Sequence, residues 1–378
     1  ITAIRTGTAP GASHKLLQMP NYPNLSEADA RALLRYVKSL PENRYDVDAI
    51  EAIELSAVFT PDVDKALRES VQQTIMAYVD RHNASLKDHR RHRRVGFSRV
   101  ARPLPWHFHF LALTGPEDGW NQQLEDFHQS HPVLAMVGGV SLGNSAPIQK
   151  FCEAKRLPCL FRSVLFPPEG EALYSRYFTG GIDLEQGLID RWVEQGVLAK
   201  PRKTVFIADQ SLVEHLSHLR DSKGSPTVEW VATPKRSEDS GSVRKEVAGL
   251  KRGDMVVCWC SKSELEMLGA LSVPKGVSVL LSSTVLMSSG RVEDTPKSWQ
   301  KAWVVYPFEV SPQKERQEGV FYTWITGQRI PAANEMIQSD TFRALYIVDE
   351  AITQMVETFS RDYLLEKVED VMGMGYEY

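Results

Sequence analysis

From residue 51 onward the chain alternates short, β-branched apolar runs with helical stripes, and it does so in two separate series. The first series holds IELSAVF (53–59), WHFHFLAL (106–113), VLAMVGG (133–139) and PCLF (158–161). The second holds KTVFIAD (203–209), TVEWVA (227–232), DMVVCWC (254–260) and VSVLLSS (277–283), with AWVVYPF (302–308) as one more strand. Strand–helix–strand order with single helical crossovers gives parallel strands with helices on both faces. VLAMVGG carries no polar side chain on either face, as a central parallel strand requires. The expected fold class is therefore α/β, with two Rossmann-like lobes, each built on a parallel sheet.

The helices between these strands read from 3.6-residue stripes. Thr60-Pro61 is expected to open the first helix, with Pro at its first position. Val63, Leu67, Val71, Ile75, Tyr78, Val79 and His82 form its buried stripe. The basic stretch KDHRRHRRVGFSRVARP (87–103) has no apolar period and reads as a solvated loop, or as a surface for an acidic partner or lipid headgroups. Further helices fall near 118–129, 144–155, 184–197, 211–221, 240–250 and 262–270. Two C-terminal helices, about 340–360 and 362–372, carry Leu345, Val348, Ile352, Met355 and Val356, and should pack back on a lobe.

The first 42 residues differ from this pattern. After a Gly/Pro/Ser-rich start and MPNYPN, Ser26 and Asp29 form a capping box, and Ala30, Leu33, Leu34, Val37 and Leu40 make a stripe that Pro41 stops. ENRYDVD then reads as a linker. A chain of 378 residues supports two or three domains. The expected division is 1–42, a linker at 43–50, a first lobe of 51–180 plus about 330–378, and a second lobe of 181–329. The absence of an initiator Met at Ile1 points to a processed or truncated product, which leaves the compartment open.

Several function classes are disfavoured. A net charge of −4 gives no reason to expect nucleic-acid binding. No apolar run approaches the roughly 18 residues of a membrane span. G-x-S-x-G, the phosphate-loop motif, H-E-x-x-H and C-x-x-C-H are all missing, so the chain does not read as an enzyme. VGGVSLGNS (137–145) places glycines after a strand but does not fit the dinucleotide fingerprint. Cys258 and Cys260 face one way on an apolar strand and read as core, whereas Cys152 and Cys159 bracket a helix end and a strand start and form the pair suited to oxidation. His107 and His109 share a strand face and could reach one metal, but no third ligand is evident.

Position says more than motif. Ligands of open parallel sheets lie beyond the carboxyl ends of the strands, where glycines admit the backbone and helix N-termini offer N–H donors. The first series ends there in Ser141, Asn144 and Ser145, and in Arg162 and Ser163. The second ends in Asp209, Gln210 and Ser211, in Ser261, and in Ser282, Ser283 and Thr284. Each of these either caps the following helix or faces a cleft. Their recurrence in both series favours a cleft that closes over a small solute. The expected ligand set is Ser141, Asn144, Ser145, Arg162, Ser163, Asp209, Ser261 and Ser283.

Residues 51–378 resemble the type I periplasmic solute-binding proteins of the branched-chain amino acid and amide class. The resemblance is carried by IELSAVFTPDV…TIMAYVDRHN, by HPVLAMVGGVSLGNSAPIQKFCEAKRLPCLFRS, by YFTGGIDLEQG where the chain leaves the first lobe, and by the two C-terminal helices. It implies a periplasmic binding protein, serving an ABC transporter permease or a sensor, that holds an amino-acid-like head through Ser141, Ser145 and Ser163. Two departures from the family pattern, the basic stretch before WHFHF and the turn RSVLFPPEGE with Arg162 and Phe166, count against an amino acid ligand. MPNYPNLSEADARALLRYVKSL resembles the C-terminal end of a class I cytochrome c, which implies Met19 as an axial haem ligand. Haem c would need an upstream C-x-x-C-H segment; otherwise no cofactor is expected. The alternative reading is a periplasmic electron-transfer accessory protein whose lobes dock a redox partner.

Overall fold

The structure is a computed structural model that describes residues 24–31, 33, 44–45, 51–92, 104–165, 167–168, 170, 172–178, 181–215, 227–233, 240–269, 271–288, 297–299, 301–306, 312–331, 334–355 and 359–373. Met19 and most of the cytochrome-like segment lie outside these residues. Within it, Ser26 accepts from the Asp29 amide at 3.1 Å and donates to the Asp29 carboxylate at 2.6 Å, so the expected N-cap is present.

Two parallel sheets are built. In the first, β2 (Ile53–Phe59) pairs on one side with β3 (Trp106–Ala112) and on the other with β4 (Ala135–Val137) and β5 (Val140–Ser141); β1 (Arg44–Tyr45) stands apart. Beyond these lie β6 (Cys159–Leu160) with β7 (Ser163–Val164), and then β8 (Ser175–Arg176). Segments β4 and β5 are one strand interrupted at Gly138-Gly139, and β6 and β7 are one strand interrupted at Phe161-Arg162. Counted so, the order is second, first, third, fourth, fifth. The second sheet has the same order, with β9 (Lys203–Ala208) between β10 (Thr227–Ala232) and β11 (Met255–Trp259), followed by β12 (Ser278–Ser282) and β13 (Trp303–Val305).

Each sheet is covered on both faces. One face of the first packs Leu55, Ala57 and Phe59 against Val71, Ile75 and Val79 of α1 (Lys65–His92). The other packs Val58 and Met136 against Leu124 of α2 (Trp120–Ser130) and Ile148 and Phe151 of α3 (Ala146–Lys155). In β9 the period-two rule sends Phe206 and Ala208 toward Ile182 and Ile189 of α4 (Gly181–Glu194), and Val205 and Ile207 toward Val243 and Val247 of a later helix. Along the second series run α5 (Gln210–His215), α6 (Gly241–Ala248), α7 (Lys262–Leu268) and α8 (Ser283–Ser288). Cys258 and Cys260 are both buried in the same core, as their shared face implies.

The chain then returns. Phe321, Trp324 and Ile325 of α9 (Pro312–Gly327) join the first core, as do Leu345 and Val348 of α10 (Glu335–Thr353) and Leu364 and Val368 of α11 (Arg361–Gly373). β14 (Phe359–Ser360) pairs antiparallel with β1, which ties the linker before the first lobe to the C-terminal helices.

Two expectations about α1 are corrected. It opens at Lys65 rather than at Thr60-Pro61, because the Asp64 carboxylate accepts the Leu67 amide at 2.8 Å and caps the helix there. It also continues through His92, so 87–92 are helical rather than looped; a polar helical end needs no apolar stripe. Residues 93–103 lie outside the described set.

Candidate functional site

The first sheet's interruptions position its strand-end residues. Gly138 and Gly139 have φ of 68° and 86°, and a Cβ at Gly139 would stand 2.3 Å from the Val58 carbonyl oxygen, so no side chain fits. Opposite them Phe161 also turns left-handed, with φ of 55°, a conformation uncommon outside glycine. The ladder closes around both bulges through Gly138 N–H to the Leu160 carbonyl at 2.8 Å and Ser163 N–H to the Gly139 carbonyl at 3.0 Å. Bulges of this kind re-aim a side chain. Here the re-aimed residue is Arg162, whose side chain turns into the protein with a relative exposure of 2%.

Arg162 Nη2 donates to Ser141 Oγ at 2.5 Å, joining two of the sequence-derived site residues. Arg162 Nε and Nη1 are buried and meet no acceptor, and neither does Ser145 Oγ, which stands at the N-cap of α3. Ser163 is half-buried in β7, and Leu165 two residues later packs against the second core. The Arg162 end of the first sheet thus leads directly to the second lobe. Asn144 is exposed; its amide donates to Glu117 at 2.7 Å and its carbonyl oxygen accepts the Ala146 amide at 3.0 Å.

Around Arg162 lie groups that it influences electrostatically. Burial pushes the Tyr177 phenol up against the opposing pull of the guanidinium, and its hydroxyl donates to Gln149 at 2.9 Å. The Cys152 and Cys159 sulfurs are 2.6 Å apart, with Cys152 donating. Burial pushes the Cys152 thiol up, while the bond from Cys152, with help from Arg162, holds Cys159 down.

The second sheet also presents polar strand ends. Asp209 is exposed after β9. Ser261 caps α7 in a full capping box with Glu264, and its hydroxyl lies 3.0 Å from that of Ser263. Ser283 is buried and donates to Glu185 Oε1 at 3.0 Å. Ser261 and Ser283 are therefore engaged within their own lobe. Sequence reasoning missed Glu185, Tyr177 and Gln149. Glu185 had a usable signal: it shares one helical stripe with Ile182 and Ile189.

On the edge strand β3, His107 Nδ1 and His109 Nε2 meet the two oxygens of Glu54 at 2.9 and 2.7 Å, and the histidines hold that carboxylate down against the opposing effect of burial. Among the described residues no cluster of three His, Cys, Asp or Glu suited to a metal ion is present.

No protein-family model and no curated protein sequence matches this chain. Solved structures do. The branched-chain amino acid transporter substrate binding protein LivJ from Streptococcus pneumoniae, in complex with isoleucine, is 11% identical, with 84% of this chain and 87% of that one covered and a TM-score of 0.59. An ABC transporter solute binding protein from R. palustris, in complex with benzoate, is 13% identical over 84% and 85%, with a TM-score of 0.57. A fatty acid ABC transporter substrate-binding protein from Thermomonospora curvata is 11% identical over 85% and 81%, with a TM-score of 0.56. The fold is that of the type I periplasmic binding proteins.

Proposed function

We propose that this chain is a periplasmic solute-binding protein that closes two lobes over a small solute and hands it to an ABC transporter permease or a sensor. The observation that carries the reading is the buried Arg162–Ser141 pair at the carboxyl ends of the first sheet's strands, where such sheets bind ligands. The shared strand order of the two sheets supports a pair of lobes, here drawn as 51–180 plus about 330–378 and 181–329. Structures of like fold that take isoleucine, benzoate and fatty acids support solute binding rather than catalysis. Asp209, Ser261 and the residues around Ser283 are proposed as the opposing wall, and hinge closure as the response to occupancy.

Thermal-shift screening against amino acids, aromatic acids, fatty acids and amides tests this reading. A true solute at 100-fold over its Kd adds about 2.7 kcal/mol and raises the Tm. X-ray scattering should show compaction in the same samples. A protein that no solute stabilises, and whose shape none alters, does not bind solutes.

A further inference from the structure

Resting on the solute-binding reading, we infer that Arg162 is a carboxylate receptor, and that the solute is an organic acid of net charge −1 rather than an amino acid. Arg162 is 2% exposed, and among the described residues its guanidinium meets only the Ser141 hydroxyl and the neighbouring Cys159 thiol, with Nε and Nη1 finding no oxygen or nitrogen acceptor. No Asp or Glu among the described residues is within ion-pair distance of it. Glu153, which acts on the neighbouring cysteines, already accepts the Tyr174 amide and the Ser175 hydroxyl. Asp62, beyond β2, is exposed and takes the Thr60 hydroxyl.

A buried charge without a partner is among the costliest groups a fold can hold. The chain nevertheless departs from easy backbone geometry at Phe161 to place it there. Such uncompensated features concentrate where a ligand completes them. Nε and Nη1 lie on different edges of the guanidinium, so a carboxylate would be held by two parallel N–H bonds only through one of them together with the second N–H of Nη2, whose first goes to Ser141. Ser145 Oγ, also buried without a partner, is a further donor at the N-terminus of the ten-residue α3.

The charge balance selects within the acids. A monoanion neutralises the buried guanidinium. A zwitterion brings its own cation and leaves the site with the same uncompensated charge, repelled by Arg162 at low dielectric.

The experiment compares matched probes by calorimetry on the whole chain. Isocaproate, L-leucine and isocaproamide share one carbon skeleton; benzoate and benzamide share another. At least one acid should bind about tenfold or more tightly than its amide, and isocaproate more tightly than L-leucine. Arg162→Met should lose at least that factor for the acid, with Arg162→Lys in between, since it keeps the charge without the fork. The apo Tm of Arg162→Met should stay level or rise, because it removes an unpaired buried charge. Amides or L-leucine binding as well as the acids, or an Arg162→Met protein that binds an acid unchanged, would overturn the inference and leave solute binding standing. A wild-type chain that binds no solute of any class would overturn both.

Discussion

Glu185 and Ser283, 98 residues apart in sequence, are joined by a hydrogen bond of 3.0 Å from the serine hydroxyl to Glu185 Oε1, inside the second core. The same carboxylate accepts the Thr284 amide at 2.8 Å and Trp259 Nε1 at 3.2 Å. It thereby pins α4 to the carboxyl ends of β11 and β12.

Glu185 is fully buried, and burial raises its pKa despite these donors. An acid with a raised folded pKa costs stability once it ionises: the cost is absent below its unfolded value, near 4.5, and grows as pH rises through the folded pKa. Glu185→Gln should therefore match or exceed wild type at pH 7, and the two should converge or cross near pH 4. Glu185→Ala removes the acceptor of three buried donors and should cost about 2–4 kcal/mol in urea unfolding. A Gln variant as damaged as the Ala variant at pH 7 would show that the negative charge itself is needed.

A second prediction concerns pH in the opposite direction. His82 lies stacked on Trp106, ring centroids 4.5 Å apart, with Nδ1 3.2 Å from Asp349 and Nε2 3.2 Å from the Leu104 carbonyl. Burial disfavours the imidazolium, but the hydrogen bond and charge of Asp349 outweigh it, and the His82 pKa rises. Its stabilisation is complete below the unfolded value, near 6.5, and is lost as pH rises through the folded pKa. His82→Gln should cost about 1 kcal/mol at pH 6, kept small by solvent screening at the part-exposed Asp349, and less at pH 8.5. A cost that does not change between these pH values would mean that His82 acts by packing alone.

The longer strands were legible because period-two burial is written directly in the residues. VLAMVGG lies centrally, as its apolar faces require, and TVEWVA matches residue for residue. The covering α1 and α10 were legible from their stripes. Other elements left weaker traces. The two-residue β8 is too short for a period, and α9 is apolar only toward its end, at Val320, Phe321, Trp324 and Ile325. The strand-end rule singled out Ser141 and Arg162 as candidates, but the hydrogen bond that joins them depends on Phe161 adopting positive φ, which no side-chain pattern signals. Ser283 was legible as a polar strand end. Its bond to Glu185 was not, because a glutamate in a helix reads as solvated until its position in the stripe is weighed.

The last prediction returns to Cys152 and Cys159. Both are buried, their sulfurs are 2.6 Å apart, and Met136 Sδ lies 4.0 and 3.9 Å from them in the same core. In the structure they are thiols. Cys258 and Cys260 also interact on one strand face, but the extended backbone holds residues two apart at about 6.7 Å, the long end of the range a bridge tolerates, and away from the roughly 5.5–6 Å it prefers. If the chain folds in an oxidising compartment, the first pair should therefore oxidise and the second should not. Closing a loop of about eight residues stabilises by roughly 2–3 kcal/mol in the chain-entropy account. Thiol titration under denaturing conditions should find all four cysteines free in protein made in a reducing cytoplasm. After export or air oxidation, two should remain. Cys152→Ser and Cys159→Ser should each lose the stability gained on oxidation, while Cys258→Ser should leave the titratable difference intact. Four free thiols after oxidative folding would mean that the buried pair persists as a hydrogen-bonded dithiol beside Arg162, shielded from exchange by its lack of solvent access.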